Sequence, residues 1–152
     1  MNCSANVADD LASVLFTLEE GSLSTAAVTA LITGEVARWA LSRGWSVRSE
    51  ARVRLPADSL PRAVRERTGF IDLIVGRGGG QPDLAIEIDS TDKEWSLAKL
   101  RHAAEAGMQA IWIRWGDEAW AGMHEDVDVI QLPARRRSAS RARRTSQLTI
   151  WA

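Results

Sequence analysis

The sequence predicts an α/β protein with a mixed central β-sheet flanked by helices. Two helix-spaced segments open the chain, followed by three strand-like segments, a helix and two more strands. Between the second and third strands lies a connection of Gly76-Arg77-Gly78-Gly79-Gly80-Gln81-Pro82-Asp83 that demands a turn. That turn makes the two strands an antiparallel hairpin, whereas the helix before the next strand makes a crossover.

From Asp9 to Glu20, Leu11, Val14, Leu15 and Leu18 recur at intervals of three and four, the spacing of a short amphipathic helix ended by Gly21. A second helix is expected from Thr25 to Ser42, where Val28, Leu31, Ile32, Val36, Trp39 and Ala40 form one apolar stripe and Gly44 supplies the stop. Glu35 lies beside that stripe. Trp45 to Leu55 alternates Val47, Ala51, Val53 and Leu55 with Arg48, Glu50, Arg52 and Arg54, so one face of this strand is mostly arginine. Pro56 to Thr68 reads as a loop with a helical turn around Arg62 to Arg67.

Phe70 to Val75 and Leu84 to Ile88 are the hairpin strands. Thr91 and Glu94 fit a capping box, after which Leu97, Leu100, Ala103 and Ala104 carry a helix as far as Gly107. Strands at Ala110 to Trp115 and Val127 to Leu132 complete the order α, α, β, β, β, α, β, β. One domain over residues 1–133 is expected, with a helical part at 8–43, a core at 35–132 and a basic tail at 134–152.

The chain has 152 residues, 45% of them hydrophobic and 26% charged, the profile of an ordinary globular domain. No apolar run has the length of a membrane-spanning helix, the N-terminus lacks the basic start of a secretory signal, and the single cysteine, Cys3, cannot form an internal disulfide. A cytoplasmic location is therefore expected. The net charge of −1 hides an acidic body and a basic tail, because Arg135, Arg136, Arg137, Arg141, Arg143 and Arg144 cluster near the C-terminus. Such a tail suits an arm that neutralises nucleic-acid phosphates, and equally a solvated end.

The chemistry is concentrated in the hairpin. Asp72 interrupts one apolar strand, and Glu87 and Asp89 interrupt the next, where they share a face opposite Ile86 and Ile88. Burying a carboxylate in a strand is costly, and three brought together raise one another's pKa unless a cation neutralises them. The donors are all oxygen, with no Cys/His set of zinc spacing, so Mg²⁺ or Mn²⁺ is the expected ion and phosphodiester hydrolysis the chemistry it suits. The plainer alternative is a set of acids on a solvated sheet face. Of 19 Lys and Arg residues only Lys93 and Lys99 are lysine, and both follow Asp89 closely. Lysine is a compact charge able to orient or deprotonate water; Lys99 is the first candidate and Lys93 the reserve, with surface ion pairing to Glu94 or Asp92 as the alternative.

A strand Asp, a gap, then an acidic motif on the next strand, between helices, resembles the PD-(D/E)XK nuclease superfamily over about Glu35 to Trp115. The resemblance implies a restriction-endonuclease-like core (αβββαβ), Glu35 as the helix glutamate, and Asp72 and Glu87 as metal ligands. Asp89 stands where the pattern has lysine. The Glu-x-Asp form is similar to very short patch repair type endonuclease-like domains, in which the following helix supplies the basic residue. What this implies is a Mg²⁺-dependent DNA endonuclease using Asp72, Glu87, Asp89, Lys99 and Glu35, with Asp89 as a third ligand or a water-positioning group. Arg48, Arg52, Arg54, Arg135, Arg136 and Arg137 would grip DNA, and a homodimer would cut two strands. The alternative is a module that keeps the fold, lacks cleavage and binds nucleic acid or a protein partner.

Seven tryptophans and no tyrosine point to an indole-rich core, and Trp112 and Trp115 must lie on opposite strand faces. His102 and His124 are isolated and read as packing or surface residues.

Overall fold

The computed structural model describes residues 6–19, 23–56, 68–116 and 124–133. It is an α/β fold in which three helices pack on one five-stranded mixed sheet. The elements are α1 (Val7–Leu15), α2 (Thr25–Ser42), β1 (Ser46–Arg54), β2 (Thr68–Gly76), β3 (Leu84–Asp89), α3 (Glu94–Glu105), β4 (Gln109–Gly116) and β5 (Val127–Pro133). The strands lie in sequence order; β1, β2 and β3 form an antiparallel meander, and β3, β4 and β5 run parallel.

Helix α2 has the bounds its sequence predicts because both ends carry signals. The Ser24 hydroxyl accepts from Ala27 N, meeting one of the otherwise unpaired donors of the first turn. At the other end Gly44 takes φ +74°, a conformation that costs a side-chain-bearing residue much more. Helix α1 is shorter than its apolar spacing predicts, ending at Leu15 with Asn6 as its cap. It is tied to α2 by Trp39 Nε1 donating to Asp10 Oδ2 at 3.1 Å.

The expected Thr91 capping box does not form. Lys93 is the N-cap of α3 and no side chain caps it, since an ammonium has no acceptor to offer the first-turn N–H groups; it pairs with Asp89 at the end of β3 instead. The loop reading of Pro56 to Thr68 falls largely outside the described residues, as do Gly21, Trp120 and the arginine tail.

Every residue of β3 is buried, so its two faces build two cores. Leu84, Ile86 and Ile88 join Leu73, Val75, Ile111, Ile113, Ile130 and Leu132 beneath α1 and α2. On the reverse face Ala85 and Ala110 leave room for α3, whose Leu100 and Ala103 pack there with Trp112. Trp39 and Trp112 are buried, and Trp115 joins the α1/α2 side while Trp112 faces α3, as strand alternation requires.

Candidate functional site

The site is built where the β2–β3 ladder stops. Pairing runs Val75↔Leu84, Ile74↔Ala85 and Leu73↔Ile86 and goes no further. At the next position the Asp72 side chain takes over from the backbone: its Oδ2 accepts from Ile88 N at 2.8 Å. The β1–β2 ladder also skips this level, passing from Ser49↔Leu73 to Ala51↔Ile71. The skipped residue, Glu50, holds φ 51°, strained for a residue with a side chain.

On the α3 face of β3, Glu87 and Asp89 are almost fully buried, and each meets a lysine from α3 or its cap. Lys99 Nζ lies 2.7 Å from Glu87 Oε1 and donates to the Phe70 carbonyl at 2.6 Å. It is itself buried. Lys99 thus reaches from the second turn of the helix across to β2, fixed at two points. Glu87 Oε1 makes no aligned hydrogen bond despite that neighbour, so the contact is an ion pair with coordination capacity left on the oxygen. Asp89 is more fully occupied: Oδ1 pairs with Lys93 Nζ at 2.9 Å and Oδ2 accepts from Trp112 Nε1 at 2.9 Å.

The electrostatics follow from burial. Glu87 is pushed up to about 7, chiefly by desolvation and then by the Asp72 charge, against the opposing pull of Lys99. Desolvation likewise raises Asp72; the Ile88 N–H and Lys99 hold it down, and Asp89 and Glu50 push it further up. Lys93 is raised, first by its hydrogen bond to Asp89.

The structure brings Asp72, Glu87, Asp89, Lys99 and Lys93 into one electrostatic cluster. Glu35 is placed elsewhere: it sits on α2, whose buried residues pack on the opposite sheet face, and its carboxylate pairs with Arg38. Arg48, Arg52 and Arg54 are exposed along β1, while Arg135, Arg136 and Arg137 lie outside the described residues.

Two charged residues of this region escape the sequence reading. Glu50 lies close enough to raise Asp72. Arg114, 1% exposed, stands beside Asp89 in the β3–β4 register and faces Asp92 as an ion pair. Its signal was present in the sequence as a lone charge inside the apolar run Ala110-Ile111-Trp112-Ile113-Arg114-Trp115.

Among the described residues no group of three or more His, Cys, Asp or Glu side chains is arranged to hold a metal ion. Both oxygens of Asp89 are engaged, Oδ1 by Lys93 and Oδ2 by Trp112. The donor set still fits Mg²⁺, which binds through one or two carboxylates and keeps several waters. The Asp72 charge helps raise Glu87, and among the described residues Glu87 keeps a buried oxygen without an aligned donor. In comparisons with known proteins, no family model matches this chain and no curated protein matches it significantly.

Proposed function

We propose that the protein is a metal-dependent phosphodiesterase acting on DNA, with a restriction-endonuclease-like core and its reacting centre at Asp72, Glu87 and Lys99. The observation that carries this reading is the buried Lys99–Glu87 pair, at 2.7 Å, at the level where Asp72 interrupts the β2–β3 ladder. Buried charge of this kind is poor value as stability, since apolar residues of similar volume serve as well or better. Strongly perturbed acids beside a buried lysine mark functional centres.

Asp72 and Glu87 would hold Mg²⁺ or Mn²⁺, which when bound supplies acidified water and offsets phosphate charge. The protein's own groups do the rest. The Ile88 N–H fixes the Asp72 carboxylate in one orientation. Lys99, anchored on the Phe70 carbonyl and paired with Glu87, would place its ammonium beside the attacked phosphate. Asp89, pinned by Trp112 and Lys93, places negative charge next to that centre. Exposed Arg48, Arg52 and Arg54 offer salt-sensitive contacts to the DNA backbone.

A second reading is a binding module without turnover. It is favoured by the fact that Lys99 and Lys93 already face Glu87 and Asp89, so that these carboxylates have counter-charges without a metal.

The deciding experiment incubates wild type, Glu87→Ala and Lys99→Ala with plasmid, linear, single-stranded and branched DNA in Mg²⁺, Mn²⁺ or chelator. Cleavage by wild type only with metal is expected, lost in Glu87→Ala and reduced about 10²–10⁴-fold in Lys99→Ala. Metal-independent cleavage, or full activity in Lys99→Ala, would sink the mechanism. Tight binding without cleavage would establish the second reading.

A further inference from the structure

Beside the reacting centre lies a cation that the mechanism does not use. Arg114 is buried at the carboxyl end of β4, between Asp89 on β3 and Gln131 on β5 in the strand register. Its guanidinium carbon lies 5.2 Å from the Trp112 ring centroid. The indole N–H is itself committed to Asp89. The guanidinium is therefore held in place by packing, with the half-exposed Asp92 carboxylate as its contact towards solvent.

Its hydrogen bonding is incomplete. Among the described residues Nε and Nη1 make no aligned hydrogen bond, although Nη1 contacts Asp92. Gln131, its register neighbour, also has an unpartnered buried atom, Oε1. The counter-charge is weakly committed too: the Asp92 side chain is 54% exposed and lies between β3 and α3, outside both. Among the described residues this buried guanidinium, with five donors, has unmet capacity and a half-exposed ion-pair partner, an arrangement costly to the free protein. That cost falls when an anion with several acceptor oxygens completes the fork, and a phosphate does this in a way a single carboxylate cannot. In open α/β sheets, ligands also settle at the carboxyl ends of the parallel strands, where Arg114 lies.

We propose that Arg114 is an anion receptor for a backbone phosphate of the nucleic acid, and that Asp92 occupies it as a displaceable stand-in while the substrate is absent. The choice of a nucleic-acid phosphate rests on the phosphodiesterase reading; the receptor itself rests on the burial and unmet donors of Arg114. Binding would exchange the Arg114–Asp92 pair for an Arg114–phosphate pair and release Asp92 to water. No covalent step is involved.

The test uses the full chain, ¹⁵N-labelled, in chelator so that nothing is cleaved. The Arg114 Nε–H resonance is assigned by its loss in Arg114→Lys and followed during titration with inorganic phosphate and, separately, with a short oligodeoxynucleotide. A shift with both is expected. Asp92→Asn, at a half-exposed position that folding should tolerate, removes the internal competitor and should tighten both titrations about tenfold, the worth of one charge-assisted hydrogen bond. An Arg114 resonance unmoved by either anion, in wild type and in Asp92→Asn alike, overturns the receptor. A shift with inorganic phosphate but none with the oligonucleotide overturns the nucleic-acid ligand. Because neither arm needs metal or turnover, loss of cleavage in the earlier experiment and failure of this one are separate results.

Discussion

The two faces of β3 and β4 are made from alternate residues of the same strands, yet they are put to opposite uses. Beneath α1 and α2, Ile86, Ile88, Ile111 and Ile113 form an apolar surface. Beneath α3, the same strands present Ala85, Glu87, Asp89, Trp112 and Arg114, a small residue, an indole and charges in place of branched aliphatics. The first face secures the fold by removing apolar area from water. The second gives up much of that gain to hold ionised groups at fixed positions. The difference shows how one strand can be scaffold and reagent at once, because strand side chains alternate.

The comparison can be broken most forcefully on the apolar side. Ile86 is fully buried, and Ile86→Ala should lower unfolding free energy by about 2–5 kcal/mol, through lost transfer energy and the cavity left behind. Urea titration checks it. A loss below about 1 kcal/mol would mean that this face is not the main stabilising core.

The charged face should reveal itself through pH. Glu87 is raised from an ordinary value near 4.5 to about 7, so between those values the unfolded chain has released a proton that the folded chain retains. Stability therefore falls as pH rises across that window, by roughly 3 kcal/mol if the whole shift is expressed. Asp72, also raised, contributes with the same sign. Unfolding free energies measured in chelator from pH 4.5 to 8 should show the decline, and Glu87→Gln should flatten it. A stability that climbs through this range would refute the assignment of desolvation as the dominant cause.

The smallest effect concerns the backbone at the margin of the site. Glu50 holds φ 51° and adds negative charge near Asp72. Glu50→Gly removes both penalties at the cost of a freer unfolded chain, so a net stabilisation of about 0.5–1 kcal/mol is expected. A destabilisation of that size in thermal unfolding would show that the Glu50 side chain makes a compensating contact.

Much of this architecture is legible from residue order. Helix α2 reads cleanly because Ser24 and Gly44 mark its ends with specific backbone chemistry, and the strands read because apolar runs and alternation follow from the pleat. Asp72, Glu87 and Asp89 stand out because a carboxylate inside an apolar run is energetically conspicuous. What stays hidden is long-range. Thr91 has the right spacing for a cap, but α3 starts after Lys93, whose side chain pairs with Asp89. Glu35 lies beside an apolar stripe, and only the packing of α2 reveals which sheet face that stripe meets. Arg114 was as conspicuous as Asp72; without its neighbour Asp89 across the register, its charge had no apparent counterpart.

Among the described residues β1 ends the sheet, and it carries Arg48, Arg52 and Arg54 in exposed positions on either side of Glu50, whose φ is 51°. An open sheet margin is a template on which another chain can stack its own strand, the first step towards aggregation. Like charges spaced along that margin make such templating unfavourable between identical molecules. The same row that would grip an anionic polymer would thereby oppose copies of the protein extending one another's sheets. Any dimer that forms is expected to join elsewhere.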